Sequence, residues 1–281
     1  MKLVRYGEKG KEAPGILSAR GDIHSLQSIV DDICPAFLSA GGLERLSSLD
    51  IDKLPVVAGD PRLGSPISSV GKIIAVGLNY AEHIRETGSK AGDEPVLFTK
   101  AVSSLSGPFD PIIRPKGASQ VDWEAELVIV IGKEALYVEQ DQALDYVAGY
   151  CAGIDVSERS FQKEHCGQWM KGKGCDSFAP IGPWLSTPDE LDDIQSLDLS
   201  LMVNREIQQN SNTQHMIFGV AFLVSYISRF MSLQPGDLIF TGTPDGVGMG
   251  QSPQRFLNVG DRVELTIEGL GKQNHLVKDF T

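Results

Sequence analysis

The stretch VDWEAELVIVI, residues 121–131, places two glutamates directly before a run of apolar and largely β-branched side chains. Such a run predicts a buried strand, whose two-residue period puts Glu124 and Glu126 on one face. Like charges on one strand face repel each other, and a cation between them offsets that repulsion. Two interpretations follow: a site for a hard divalent metal ion, or a strand end with two solvated glutamates. The stretch alone does not choose between them.

Composition and charge limit the class of protein. The chain has 281 residues, of which 41% are hydrophobic and 22% charged, so we expect one large folded domain or a main domain with a small companion. It carries 37 acidic and 25 basic residues, which gives a net charge of −12. Proteins that bind nucleic acid neutralise phosphates with Lys and Arg, so we expect no nucleic-acid partner.

Nothing in the sequence predicts a membrane segment or a secretory leader. The apolar stretch at 217–231 is shorter than the roughly 20 residues that span a bilayer, and it contains Arg229. Residues 1–11, MKLVRYGEKGK, lack the apolar core of a signal peptide. We therefore expect no membrane partner and a cytoplasmic protein. Free thiols in a reducing compartment are expected because neither CxxC spacing nor a disulfide framework is found among Cys34, Cys151, Cys166 and Cys175.

The first seventy residues predict a small α+β domain. Strand-like MKLVRYG precedes a small hairpin with its turn at residues 20–22, and one or two helices follow between residues 25 and 49. Residues 54–69 are rich in Pro and Gly, which is typical of a linker or a crossing segment. We therefore expect a small N-terminal domain at 1–70, with a structural role, and the main domain at 71–281.

Residues 80–87 predict a short helix that carries a histidine and a carboxylate. His83 and Glu86 are three residues apart, so they share a helix face. A carboxylate in that position can hold the imidazole in one tautomer, ready to take a proton from water. The alternative is a surface helix with a histidine of no special role, and the spacing by itself favours that alternative.

Residues 149–154, GYCAGI, are small and apolar, and they predict a buried strand that ends at Asp155. A carboxylate at the end of a buried strand is costly unless it is paired or bound to a metal. Arg159 and Gln162 follow at positions that would share a helix face with it. A salt bridge between Arg159 and Asp155 is the alternative to a metal site.

The second half of the chain predicts further elements around the same chemistry. Residues 163–177 predict a loop, whose resemblance to a P-loop fails because Gly174 replaces the required Ser or Thr. Lys173 in that loop could reach a developing negative charge. A helix is predicted around residues 140–147, and residues 197–209 predict a strand and turn with Asn204–Arg205 at the tip. Residues 213–230 predict a long amphipathic helix, and residues 233–248 a strand followed by a glycine-rich loop.

Three acidic residues suit a hard cation better than zinc. Glu124, Glu126 and Asp155 offer only oxygen ligands, which favour Mg²⁺, Mn²⁺ or Ca²⁺. The sequence has no cysteine pair with zinc spacing and no HExxH motif. A GxSxG nucleophile elbow is also absent, so a serine esterase is not indicated.

Five motifs follow one another along the chain: GLNYAEH, VDWEAELVIVIGK, GYCAGIDVSERSFQ, KGKGCDSFAPIGPW and PGDLIFTGTPDGVG. In this order they resemble the motifs of the fumarylacetoacetate hydrolase superfamily. The chain is most similar to its bacterial branch of acylpyruvate hydrolases, 2,4-diketo-3-deoxy-L-fuconate hydrolases and proteins labelled ureidoglycolate lyase. The resemblance spans residues 71 to about 275.

This resemblance implies an α+β fold. The catalytic domain is expected to be a β-rich mixed roll, and a small α+β domain is expected to precede it in the chain. It implies a homodimer with a site for Mg²⁺ or Mn²⁺ (Ca²⁺ is possible in a crystal). The implied metal ligands are Glu124, Glu126 and Asp155. The implied catalytic residues are His83 and Glu86, a water-activating pair on a short lid helix, and Lys173. The implied substrate-binding residues are Lys100, Arg159, Gln162 and Thr243.

The implied chemistry is hydrolysis of a carbon–carbon bond in a small 2,4-dioxo acid. The His83–Glu86 pair would deprotonate water for attack on the distal carbonyl, and an enolate of pyruvate would leave. Lys173 and a metal ion would stabilise that enolate. Decarboxylation, isomerisation and a ureidoglycolate lyase activity are alternatives on the same scaffold. A non-catalytic relative with a structural metal ion is a further alternative, although it would not need the His83–Glu86 pair.

Overall fold

The computed structural model describes residues 1–90 and 92–281. Within these ranges, strands dominate over short helices. The strands are β1 (Lys2–Tyr6), β2 (Ala13–Leu17), β3 (Ile23–Ser25), β4 (Ile73–Gly77), β5 (Val96–Lys100), β6 (Leu105–Ser106), β7 (Ile112–Arg114), β8 (Val121–Asp122), β9 (Ala125–Ile131), β10 (Val147–Ile154), β11 (Ser157–Glu158), β12 (Ala179–Ser186), β13 (Asp198–Val203), β14 (Glu206–Asn212), β15 (Leu238–Phe240), β16 (Arg262–Ile267) and β17 (Gly271–Asp279). The α-helices are α1 (Pro35–Ser39), α2 (Gly42–Ser47), α3 (Ala81–Glu86), α4 (Arg159–Glu164), α5 (Trp169–Lys173) and α6 (Val220–Ser228).

A large mixed sheet forms the centre of the molecule. Its strands run in the order β3-β2-β1-β12-β10-β9-β15-β4-β5, and β6 pairs with β12. Every residue of β9 and β10 is buried, as the apolar runs in both segments predict. These two strands pair antiparallel, with Gly153 opposite Glu126 and Ile154 opposite Ala125. The end of β10 therefore lies beside the start of β9, where the acidic residues stand.

The two faces of the central sheet have separate hydrophobic cores. Leu127, Ile129 and Ile131 of β9 face one core, together with β13, β16 and α6. Val128 and Val130 face the other core, which the N-terminal segment covers. Glu124 and Glu126 have the same parity as Val128 and Val130 and continue that row toward the start of the strand.

A second sheet packs against the central one. Its order is β14-β13-β16-β17-β7, and β8 pairs separately with β11. The turn between β13 and β14 is formed by Asn204 and Arg205, which have φ values of 52° and 68°. Left-handed residues at both central positions match the twist of a tight hairpin, so the predicted hairpin tip is confirmed.

The structure confirms the predicted fold class, a strand-rich mixed α+β architecture. The N-terminal strands do not form a small sheet of their own, because β1 pairs antiparallel with β12 and extends the central sheet. The division into 1–70 and 71–281 stays a prediction. No helix within the described ranges is long and apolar enough to cross a membrane.

Three predicted elements differ from the structure in extent or type. The helix predicted at 213–230 is confined to Val220–Ser228, because Asn79 binds the backbone N–H and C=O of Phe218 just before it. The loop predicted at 163–177 contains α5. The helix predicted around 140–147 is a 3₁₀ helix at Gln140–Tyr146.

Candidate metal and active site

Three buried carboxylates meet where β9 begins and β10 ends. Glu124 directly precedes β9, Glu126 lies within it, and Asp155 directly follows β10. The backbone N–H of Asp155 donates to the carbonyl of Glu124 over 2.9 Å, which fixes the two segments side by side. One oxygen from each of the three carboxylates lies within 4.8 Å of the others. The topology therefore brings together the residues that the sequence predicts as metal ligands.

Two lysines accompany this carboxylate cluster. Lys173 Nζ lies 2.5 Å from Glu124 Oε2 and 2.6 Å from Asp155 Oδ2, so its ammonium bridges the two acids. Lys100 Nζ donates to Asp155 Oδ1 over 2.5 Å and to the carbonyls of Val156 and Lys173 over 3.3 and 2.5 Å. Both ammonium groups are buried, and they hold Asp155 from two sides.

The charges around the cluster give its acids different proton affinities. Burial would raise the pKa of Glu124, but the cations of Lys173 and Arg159 hold that pKa well below its usual range. Burial raises the pKa of Glu126 well above its usual range, and the charges of Asp155 and Glu124 add to the effect. Burial would lower the pKa of Lys173, yet Asp155 and Glu124 raise it, so Lys173 stays an ammonium.

These residues fit a divalent cation. The donor set consists only of carboxylate oxygens, the ligands that Mg²⁺, Mn²⁺ and Ca²⁺ prefer. The negative charge on Glu126 is poorly compensated by the protein, since its single hydrogen bond within the described structure comes from the backbone N–H of Gly242 at 2.8 Å. A cation bound to Glu126 would supply the missing charge.

A histidine–carboxylate pair lies beside the cluster on α3. His83 Nδ1 lies 2.9 Å from Glu86 Oε1, and His83 is buried. The second oxygen, Glu86 Oε2, accepts the backbone N–H of Gly246 over 2.9 Å, which attaches α3 to the glycine-rich loop after β15. A carboxylate that accepts from Nδ1 leaves Nε2 as the basic nitrogen of the ring.

Arg159, at the start of α4, is anchored by two acids. Its Nε donates to Asp122 Oδ2 over 2.8 Å, and Nη2 lies 2.7 Å from Glu124 Oε1. Nη1 donates to Gln162 Oε1 over 3.1 Å. Although Nη2 forms this ion pair, it is buried without a well-directed hydrogen-bond acceptor among the described residues. Such an atom is suited to donate a hydrogen bond to a carboxylate or carbonyl oxygen of a ligand.

The glycine-rich loop that follows β15 binds several of these acids through its backbone. Gly242 donates its N–H to Glu126, Gly246 to Glu86, and Gly248 to Asp122 Oδ1 over 2.7 Å. Thr243 in this loop accepts the Nε2–H of Gln209 at its hydroxyl over 2.8 Å. The loop therefore fixes the position of the carboxylates and is itself held by β14.

A pocket opens over this cluster. The predicted site residues among its lining side chains are His83, Glu124, Glu126, Arg159, Gln162, Lys173 and Thr243. Phe98 and Trp169 form an apolar wall, with ring centroids 5.2 Å apart in an edge-to-face arrangement. Lys173 Nζ lies 5.1 Å from the centroid of Phe98, a cation–π contact that supports its charged state.

Comparison with known proteins assigns the family. Residues 72–278 match the family described as Fumarylacetoacetate (FAA) hydrolase C-terminal. A Burkholderia cenocepacia (strain HI2424) protein named "Putative hydrolase" is 53% identical over 280 residues, with 99% of each chain covered. The chain belongs to the fumarylacetoacetate hydrolase family.

Solved structures agree with this assignment. Fumarylacetoacetate hydrolase from psychrophilic Exiguobacterium antarcticum is 36% identical, with a TM-score of 0.90. Maleylpyruvate hydrolase from Sphingobium sp. SYK-6, solved in complex with manganese (II) ion and pyruvate, is 28% identical, with a TM-score of 0.83. Both comparisons cover 100% of both chains. The resemblance inferred from the five motifs is confirmed, and the protein is an enzyme of the fumarylacetoacetate hydrolase family.

The geometry excludes one alternative that the sequence left open, and it shows the contacts of Lys100. Arg159 pairs with Asp122 and Glu124, so the salt bridge considered between Arg159 and Asp155 is wrong. Lys100 does not line the pocket, and its ammonium contacts three protein oxygens. This geometry gives Lys100 the role of fixing Asp155, and its predicted contact with substrate oxygens stays a prediction.

Sequence reasoning missed residues that position the site. Asp122, Glu124 and Glu126 follow one another at every second residue, and this two-residue period was a signal that Asp122 lies on the same side as the two glutamates. Gln209 accepts the N–H of Ala125 over 2.9 Å and donates to Thr243, but no local pattern indicates this role. Asn79 donates to the carbonyl of Thr241 over 2.7 Å from a position far away in sequence.

Proposed function

We propose that this family member is a Mg²⁺- or Mn²⁺-dependent hydrolase that cleaves a carbon–carbon bond in a small 2,4-dioxo acid. The observation that supports this proposal is that His83, paired with Glu86, lines the same pocket as Glu124 and Glu126 of the carboxylate cluster. Glu124, Glu126 and Asp155 would hold the cation. When bound, the cation would supply positive charge for the oxygens of the dioxo acid and for its enolate.

The side chains of the chain itself account for the proton transfers. His83 Nε2 takes a proton from water, and Glu86 stabilises the resulting imidazolium through Nδ1. The water oxygen bonds to the C4 carbonyl carbon, the C3–C4 bond then breaks, and its electron pair leaves as the enolate of pyruvate. A proton returns to C3, and the acyl part leaves as a carboxylic acid.

Lys173 and Arg159 provide the fixed positive charge in this scheme. Lys173 stays protonated between Glu124 and Asp155, and a preorganised cation in a buried site stabilises a developing enolate. Arg159 Nη2 is available to a substrate oxygen. Trp169 and Phe98 exclude water from one side of the pocket.

Hydrolysis is favoured over decarboxylation by the dyad on α3. Loss of CO₂ from an oxo acid forms the same type of enolate but needs no activated water, so a decarboxylase would not require His83 and Glu86. The small-molecule partner, a homodimer and a cytoplasmic location remain our predictions for this enzyme.

The test combines turnover with metal binding. We expect hydrolysis of acetylpyruvate with Mg²⁺ or Mn²⁺ and its loss with a chelator. Glu126→Gln should weaken Mn²⁺ binding in calorimetry and reduce kcat by about a thousandfold, because the removed charge is a cation ligand. His83→Ala should reduce kcat by about a hundredfold or more while Mn²⁺ still binds.

Glu139→Gln is the matched control, because Glu139 is exposed and lies outside the pocket. Full metal-dependent turnover in Glu126→Gln would refute the metal assignment. Turnover of oxaloacetate but not of acetylpyruvate, with His83→Ala fully active, would show that the enzyme is a decarboxylase.

A further inference from the structure

Gln209 is a buried amide that contacts two parts of the site without lining the pocket. It lies on β14 of the second sheet and is 1% exposed. Its Oε1 accepts the backbone N–H of Ala125, the first residue of β9, over 2.9 Å. Its Nε2 donates to Thr243 Oγ1 over 2.8 Å and to the carbonyl of Pro244 over 2.9 Å. One side chain therefore joins the strand that carries the carboxylates to the glycine-rich loop.

A shift in strand register turns this side chain inward. Leu201 of β13 pairs with Gln209. Met202, the next residue, pairs with Ile207, so Gln208 is an extra residue on β14. In a regular strand Ile207 and Gln209 would share a face, yet Ile207 is 66% exposed and Gln209 is buried. The bulge thus aims Gln209 at the site, a use that bulges beside active sites commonly have.

The surroundings fix which end of the amide faces each element. Ala125 offers an N–H and Pro244 a carbonyl oxygen, so a reversed amide would oppose like groups at both ends. Both amide hydrogens are therefore used, one on Thr243 Oγ1 and one on Pro244. The Thr243 hydroxyl is an acceptor toward Gln209, which leaves its own hydrogen for another partner. Among the described residues that hydrogen has no acceptor, and Thr243 lines the pocket.

A hydroxyl whose lone pair is engaged in this way presents a donor to the pocket. We propose that Gln209 is a positioning residue that makes Thr243 a hydrogen-bond donor to an oxygen of the bound oxo acid. Gln209 also holds that donor at a fixed place relative to β9 and its carboxylates. The inference rests on the proposed function in one respect, because it takes the ligand to be an oxo acid. A hydrogen bond to a charged oxygen changes affinity by about tenfold or more.

The experiment measures the Kd of the Mn²⁺-loaded protein for pyruvate by calorimetry, which needs no turnover. Gln209→Glu keeps an acceptor for Ala125 but turns a carboxylate oxygen toward Thr243. The hydroxyl then donates to that oxygen and faces the ligand with its lone pairs, so the Kd for pyruvate should rise by about tenfold or more. Mn²⁺ binding without pyruvate should be retained. The KM for acetylpyruvate should rise in parallel, with kcat within about threefold of wild type.

A double-mutant cycle separates this role from a general effect on the fold. Thr243→Val removes the hydroxyl and should by itself raise the Kd for pyruvate by about tenfold. In that background Gln209→Glu should raise it by less than about twofold more, because the group through which Gln209 acts is gone. Thr243→Ser keeps the hydroxyl and should retain both the affinity and the sensitivity to Gln209→Glu. Gln214→Glu adds the same charge at an exposed position and should leave the Kd unchanged.

Gln209→Met removes the amide without burying a charge, and it replaces Gln209→Glu in the cycle if that variant does not fold. It should raise the Kd when Thr243 is present and not in Thr243→Val. Unchanged pyruvate affinity in Thr243→Val, or effects that simply add in the cycle, would overturn the proposal. Absence of pyruvate binding by wild type would overturn it as well. If wild type binds pyruvate but does not hydrolyse acetylpyruvate, the hydrolase proposal fails and the cycle still decides the role of Gln209.

Discussion

At the scale of single residues, the site depends on a carboxylate that is not expected to touch either a metal ion or the substrate. Asp122 accepts four hydrogen bonds, from the backbone N–H groups of Trp123, Gly248 and Met249 and from Arg159 Nε, all between 2.7 and 3.0 Å. It therefore fixes Arg159 relative to the glycine-rich loop. A buried guanidinium held this way loses little freedom when it binds a ligand.

Asp122→Asn is expected to disturb both the position of Arg159 and the fold. The amide keeps one acceptor oxygen and turns an NH₂ group toward N–H donors, and the charge opposite buried Arg159 is lost. We expect unfolding free energy to fall by about 3 kcal/mol, as for other broken buried ion pairs. KM should rise about tenfold through Arg159. Denaturant unfolding and steady-state kinetics measure the two effects.

Asp176→Asn, at an exposed position, serves as the control for loss of one negative charge. An unchanged KM in folded Asp122→Asn would show that Asp122 does not position Arg159 for substrate.

Residue spacing predicted the carboxylates of the site, but not the contacts that its buried lysines make. The period of two on β9 and the end of the apolar run before Asp155 indicated the three carboxylates, because both signals are local. The partners of Lys100 and Lys173 were not accessible to such reasoning. Each lysine contacts Asp155 from a different element, and only the folded topology places those elements together.

At the scale of elements, the glycine-rich loop after β15 connects the site to the rest of the fold. Gly246 has a φ of +94°, and a Cβ built on it would lie 2.0 Å from the carbonyl oxygen of Gln208. Its N–H binds Glu86. Close contact with β14 and the bond to α3 therefore both depend on this glycine.

Gly246→Ala should move the loop and weaken catalysis. The Cβ clash with backbone has no flexible neighbour to relieve it, so we expect more than about 2 kcal/mol of lost stability and at least a tenfold drop in kcat/KM. Gly260→Ala is the matched control: its φ is +96°, but no atom lies within 4 Å of an added Cβ. It should cost about 1 kcal/mol and leave kcat/KM unchanged. Equal kinetics in the two variants would contradict the role of the loop.

Elements were predicted well where the pattern is local and poorly where distant residues end them. Hydrophobic runs predicted β9 and β10, and the Asn204–Arg205 turn predicted its hairpin. The predicted helix at 213–230 failed at its start because Asn79 takes the backbone groups of Phe218. Helix α5 was missed because Gly172 and Gly174 favour a loop. Its packing explains the helix: a Cβ on Gly172 would lie 2.6 Å from the backbone nitrogen of Gln162, so glycine permits close contact with α4.

At the scale of the whole molecule, the N-terminal segment completes the core without lining the pocket. Leu3, Ile16 and Leu26 are fully buried and pack in one cluster with Val128 and Val130 of β9. All pocket-lining residues lie at position 76 or beyond. The segment thus covers the face of the central sheet that carries the carboxylates, but further along the strands.

This arrangement predicts that core substitutions in the N-terminal segment reduce stability and spare catalysis. Ile16→Ala removes buried methyl and methylene groups from a close-packed core, so unfolding free energy should fall by about 2–5 kcal/mol. Val56→Ala, at a side chain that is 61% exposed, should change it by less than about 0.5 kcal/mol. Both folded variants should keep wild-type kcat/KM below their unfolding transitions. A large kcat/KM loss in folded Ile16→Ala would mean that strain passes along β9 from the core to Glu124 and Glu126, and that the segment takes part in shaping the site.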